Sequence, residues 1–198
     1  MDVEYSLEAG SALSTIVAEY RATSNIGVLL DQVRALAARV PTSDLKEAVT
    51  PFRDMPEVVI PAYERIVAER PSDAQAMVVL GNAYWLTGRG PDVVGALASR
   101  AIDADDGNRG AWHLWALSEP EIRARVERWQ RVVERFPWDQ LARAALADNA
   151  ASLAGAEHDA EALDLAIESY ETLLNEATNP EQRTVLETTL STLRSWRL

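Results

Sequence analysis

Residues 74–108, AQAMVVLGNAYWLTGRGPDVVGALASRAIDADDGN, decide the fold. Two apolar patterns of helical length flank Gly88, Gly90 and Pro91. Glycine enters the left-handed backbone region at a helix C-terminus, and proline opens a helix without losing a hydrogen bond, so the segment is a helix, a tight turn and a second helix. Gly81 lies inside the first helix between Leu80 and Tyr84. A glycine there costs about 1 kcal/mol relative to alanine, which predicts that another helix crosses closely at this point and that Tyr84 covers the joint.

The phase of this pattern returns along the chain. Leu80-Gly81 recurs as Trp115-Ala116 thirty-five residues on, and as Leu146-Ala147 after thirty-one more. In the second helices, Tyr63 and Pro71 recur as Trp129 and Pro137, both eight apart, while Ala166 and Tyr170 repeat the spacing with Thr178 in the proline place. Met77, Leu80, Gly81 and Tyr84 stand at the spacing W-x2-L-G-x2-Y, and the period averages about 34 residues. On these residues, 44–198 resembles the tetratricopeptide (TPR) repeat family. The resemblance implies an all-α fold of about ten or eleven helices: a right-handed α-solenoid of antiparallel helix pairs with an N-terminal helical pair and a C-terminal capping helix.

Outside the resemblance, residues 1–43 read as two helices. Leu13, Ile16, Val17 and Tyr20 share one helical face, and Ile26, Leu29, Val33, Leu36 and Val40 form the stripe of a second helix that stops before Pro41. This segment is either a cap on the repeats, the reading slightly preferred, or a self-association element that makes a homodimer. Asp44 with Glu47 reads as a capping box opening a short helix to about Phe52. Residues 57–70 follow as its partner, with Pro61 expected to kink that helix or delay its start. The loop around Gly155–Ala160 is expected to be longer than its equivalents. Asn179, Pro180 and Gln182 open the last helix, which runs to about Trp196.

Composition bounds the function. The chain of 198 residues has a net charge of -12, no cysteine, and 19 basic residues of which only Lys46 is lysine. An acidic field repels phosphate, which argues against nucleic acid and anionic membranes and favours basic partners. No cysteine means no disulfide and no thiolate chemistry. The N-terminus opens acidic and no apolar run approaches about 20 residues, so neither a signal peptide nor a membrane span is expected, and the cytoplasm is the default location. The arginine and alanine bias suggests a bacterial source.

Three features bear on chemistry. The arginines of EIRARVERWQRVVER put Arg128, Arg131 and Arg135 on one stripe that would suit an anion, although Glu121 with Arg125 and Glu127 with Arg131 read more simply as i, i+4 pairs on a solvated face. His113 and His158 stand forty-five apart without metal-ligand spacing, and Asp103, Asp105 and Asp106 do not follow the calcium-loop order. No metal or cofactor is expected. Of the six tryptophans, Trp112 and Trp129 read as core, most of the others likewise, and Trp85 as a ligand anchor.

With no nucleophile and base pair or phosphate loop, the chain reads as a noncatalytic scaffold or adaptor, the alternative being an all-helical enzyme or small-ligand sensor on the same solenoid. The resemblance implies a concave groove lined by the first helix of each pair: Gln75, Val78, Val79, Asn82 and Trp85, then His113, Leu114 and Leu117, then Leu141, Ala144, Ala145 and Asp148. Within that set the peptide-binding residues are expected to be Gln75, Val78, Asn82, Trp85, His113, Leu117 and Asp148. Asn82 resembles the asparagine that pairs with a bound peptide's backbone. Val78 and Leu114 stand where a carboxylate clamp would need polar groups, which disfavours chaperone C-terminal tails. The expected partner is a protein or peptide, an apolar segment with basic flanks, and the chain's own N-terminus is a candidate occupant.

Overall fold

Several helices of this chain begin where an asparagine or aspartate side chain can accept from the free N–H groups of a first turn. Asn25, Asp73, Asp139, Asp159 and Asn179 each do so, and such caps stabilise a helix by about 0.5–2 kcal/mol. The computed structural model describes residues 2–197, with side chains from residue 8 onward. Among the described residues there are eleven α-helices and no strand: α1 (Asp2–Thr23), α2 (Ile26–Arg39), α3 (Thr42–Val49), α4 (Pro56–Glu69), α5 (Ala74–Leu86), α6 (Pro91–Ala104), α7 (Arg109–Leu117), α8 (Ile122–Arg135), α9 (Gln140–Glu157), α10 (Ala160–Glu176) and α11 (Pro180–Arg194). A 3-10 turn, Thr50–Phe52, follows α3. The turn between α5 and α6 is built as its glycines predict, with Gly88 at φ 71° and Gly90 at φ 94°, and Pro91 opens α6.

The chain forms two compact units, residues 1–114 and 115–198. In the first, α1 packs on α2 and α3, α2 on α4, α4 on α5, and α5 on α6. The N-terminal stripes are covered by this packing: Leu13, Val17, Leu29, Val33 and Leu36 are all buried. Ile26, read as part of the second stripe, is 43% exposed. Gly81 is where the sequence predicts a close crossing: a Cβ built there would meet Leu114 Cδ1 at 2.8 Å. The contact is reciprocal, because a Cβ on Gly110 of α7 would meet Val78 Cγ1 of α5 at 2.9 Å. Each helix offers a glycine to the other's branched side chain.

In the second unit α8 packs on α9, α9 on α10, and α10 on α11. Trp129, Val132, Leu146, Ala147, Leu153 and Ala166 are buried here. Leu173, Ala177 and Leu186 form a separate small cluster, joined by Tyr170 and Leu174.

Five local expectations are corrected. The capping box does not exist: α3 starts at Thr42 behind Pro41, and Asp44 is a buried residue inside the helix. A D-x-x-E spacing also occurs within helices, where it caps nothing. Pro61 does not delay α4, which starts at Pro56 and runs through it. Pro61 falls in the second turn, where its missing N–H forgoes the one bond to the Glu57 carbonyl and the rest of the helix supplies its own. The loop near Gly155 is not lengthened, because α9 continues to Glu157 and only His158 and Asp159 separate it from α10. The alanine-rich run contains no breaker strong enough to stop it earlier. His158 closes α9 in the left-handed conformation at φ 54°. Trp138 is not core: it is 72% exposed. Arg125 of α8 does not rest on Glu121 but on Asn149 and the Glu119 carbonyl, and Arg123 and Arg128 likewise find partners outside the helix, as described below.

Candidate functional site

On the first helix of the central pair, Gln75, Asn82 and Trp85 fall on one stripe of α5, seven and three residues apart, and all three are exposed. Trp85 keeps 39% of its surface open and Leu86 beside it 75%. Gln75 Oε1 accepts from Asn108 Nδ2 at 3.4 Å, and Asn108 Oδ1 in turn accepts from the Ala111 N–H at the start of α7. His113 is half-buried on α7. Val78 is only 6% exposed because it is the side chain that fills the space at Gly110. It belongs to the helix crossing and offers no surface to a ligand.

Leu117 and Asp148 belong to the second unit. Leu117, at the end of α7, is 37% exposed. Asp148 on α9 is exposed, and its carboxylate accepts the hydroxyl of Tyr170 on α10. Burial of the phenol, and then Asp148, push the Tyr170 pKa up, so this hydroxyl stays a hydrogen-bond donor at neutral pH. The residues expected from sequence thus form two sets: Gln75, Asn82, Trp85 and His113 in the first unit, Leu117 and Asp148 in the second.

A feature the sequence reading missed lies on the other side of α5. A cleft of about 620 Å³ opens between the second helices α4 and α6 over α5. Its apolar lining is Val67 and Ala68 of α4, Leu80 of α5, and Val93, Ala96 and Leu97 of α6. Glu64, Tyr84, Asp92 and Arg100 supply the polar groups. Tyr84 donates to Glu64 Oε1 at 2.8 Å, and burial together with that carboxylate pushes the phenol up to about 12. The Arg89 guanidinium stands 5.3 Å from the Tyr84 ring centre. A signal for this cleft was present: Val93, Ala96, Leu97 and Arg100 recur at i, i+3, i+4 and i+7, a second apolar stripe on α6 beside the one formed by Val94, Ala98 and Ala101.

The arginine run is largely consumed by structure. Arg128 lies over the Trp115 ring at 4.7 Å, donates to the Trp115 carbonyl at 2.7 Å, and pairs with Glu119. Arg125 donates to Asn149 Oδ1 at 2.7 Å and to the Glu119 carbonyl at 2.8 Å. Arg123 pairs with Glu157 and Asp159. These three guanidinium groups tie α8 to α9 and to its own leading loop rather than facing a ligand. Among the described residues no group of three or more histidines and carboxylates is placed to hold a metal ion.

Comparison with solved structures identifies the architecture. The chain is similar to the crystal structure of MamA at 15% identity and a TM-score of 0.61, covering 81% of this chain and 96% of that one. It is similar to TTC0263, a thermophilic TPR protein of Thermus thermophilus, at 16% identity and a TM-score of 0.57, covering 95% of this chain and all of that one. A further MamA structure matches at 14% identity and a TM-score of 0.55 over 96% of this chain and 98% of that one. Neither a protein-family profile nor a curated protein sequence matches the chain. At these identities the similarity establishes the fold, which is tetratricopeptide-like.

Proposed function

We propose that this chain, whose fold is tetratricopeptide-like, is a noncatalytic protein-interaction scaffold that holds an apolar segment with basic flanks against the first helices of its pairs. The observation that carries the reading is apolar surface left open on those helices: Trp85 at 39% and Leu86 at 75% on α5 and, in the second unit, Leu117 at 37% on α7. A tryptophan exposed beside a leucine and an asparagine is the composition of an interface anchor, with the ring supplying burial and the Asn82 amide both donating and accepting. Gln75 extends the α5 stripe and His113 on α7 belongs to the same unit, while in the second unit Asp148 on α9 offers an acceptor of its own. The net charge of -12 favours encounter with basic segments. On this reading the chain works in the cytoplasm without a cofactor. Among the described residues no helix is long and apolar enough to cross a membrane.

The test is selection of peptides from a random display library on the purified protein, followed by titration of the selected peptides. Enrichment of apolar sequences flanked by Lys or Arg is expected, and Asn82→Ala with Trp85→Ala should raise Kd at least about tenfold, or 1.4 kcal/mol, at a nearly unchanged Tm. Peptides that bind the double variant as tightly as the wild type would move the site off this face.

A further inference from the structure

The apolar cleft of the first unit and an apolar knob of the second are both left uncovered. The knob is the turn RFPWDQLAR, residues 135–143. Trp138 is 72% and Leu141 68% exposed, yet the turn that presents them is firmly built. The Trp138 ring meets the buried Phe136 edge-on, at 5.6 Å and 86°. Asp139, only 2% exposed, accepts from the N–H groups of Leu141 and Ala142, and its own N–H donates to the Phe136 carbonyl at 3.0 Å. A turn fixed by these hydrogen bonds sets the indole's backbone in place before a partner arrives, which limits the conformational entropy lost on binding.

The knob carries two arginines, and the cleft two carboxylates that can receive them. Arg135 and Arg143 bracket it, with the Asp139 carboxylate turned inward as a helix cap, while Gln140 holds Glu176 at 3.3 Å. Arg143 Nη2 donates to the Pro137 carbonyl, which keeps its positive charge at the turn. The cleft offers Glu64 and Asp92 against Arg100 around an apolar floor. Its volume of about 620 Å³ falls within the roughly 300–1,000 Å³ of sites that engulf drug-sized ligands, enough for an indole and an isobutyl group together. We infer that the occupant of this cleft is the Trp138–Leu141 knob of a second copy of this chain. A knob and a socket on different surfaces make a head-to-tail contact, which leaves each dimer with one of each still free and so extends into longer assemblies.

The experiment is sedimentation velocity on the full chain from micromolar to millimolar concentration, with Trp138→Ala removing the knob and Val93→Asp blocking the cleft. Both residues are exposed, at 72% and 47%, so circular dichroism should show both variants folded. The wild type should form concentration-dependent oligomers larger than a dimer, and each variant alone should associate at least about tenfold more weakly. An equimolar mixture of the two variants should give a dimer that grows no further, because only one good knob and one good cleft remain. A wild type that stays monomeric throughout, oligomers that persist in Trp138→Ala, or a mixture that does not associate would each overturn the proposal. Asn82→Ala with Trp85→Ala should leave this association intact, which separates it from the peptide-binding face.

Discussion

Replacing Gly81 by leucine tests the helix crossing on which the fold of the first unit depends. A Cβ at this position already meets Leu114 Cδ1 at 2.8 Å, with Leu97 Cδ2 at 3.7 Å, where carbon atoms normally rest about 3.5–4.0 Å apart. Leu114 is 2% exposed and Leu97 6%, so neither has open space to retreat into. Leucine gains about 1 kcal/mol of helix propensity over glycine. Against this, forcing extra carbons into a packed core costs about 1–3 kcal/mol and sometimes more, and a leucine side chain belongs at the upper end of that range. The net loss should be about 2 kcal/mol, lowering Tm by about 2–4 °C per kcal/mol for a chain of this size. Gly10→Ala supplies the reference: a Cβ there has nothing within 4 Å, so that variant gains propensity without a clash and should be more stable by about 1 kcal/mol. Calorimetry of the two variants side by side reads the difference. A Gly81→Leu protein that melts at or above the wild-type temperature would show that the α5–α7 crossing is not closed by this glycine.

Other perturbations follow from single residues. His158 closes α9 at φ 54°, so His158→Gly should stabilise by about 0.5–1 kcal/mol in urea unfolding, and a loss would mean that the imidazole makes a contact worth more than the backbone strain. Tyr63 is fully buried and its hydroxyl has no hydrogen-bond partner; Tyr63→Phe should therefore be neutral or stabilising by about 1 kcal/mol, whereas marked destabilisation would show that the hydroxyl is bonded. Asp73 is pushed up by burial, but hydrogen bonds from Lys46 and the Ala76 N–H, with the charges of Lys46 and Arg70, outweigh this and hold its carboxyl below the ordinary value. A depressed folded pKa stabilises above the unfolded value near 3.9 and loses that contribution as pH falls through the folded one. Unfolding free energy followed from pH 6 to pH 2 should accordingly fall less steeply in Asp73→Asn, and an unchanged acid slope would remove Asp73 from the account.

The central pair was legible in sequence because glycine and proline carry conformational meaning by themselves. Gly81, Gly88, Gly90 and Pro91 fixed a helix, a crossing, a turn and a helix start before any packing was known. Asn179 marked a helix start for the same reason: its signal is local. What escaped depends on partners distant in the chain. Arg125 prefers Asn149, 24 residues away, and Arg123 prefers Glu157, 34 away, over the glutamates one helical turn off. Val78 looked like groove lining until Gly110 received it. Trp138 looked like core because tryptophan usually is, whereas its exposure is set by a turn that points it outward. The α4–α6 cleft lay hidden in a second stripe on α6 whose residues also satisfy the helix period of the first.

The first-helix face as a binding surface is the central functional claim, and photocrosslinking tests it most directly. A benzoylphenylalanine placed at Trp85 should crosslink to a selected apolar, basic-flanked peptide, and the yield should fall when unlabelled peptide competes. The same group at Val93, on the opposite side of α5, should not crosslink. Crosslinks from position 93 with none from position 85 would contradict the account.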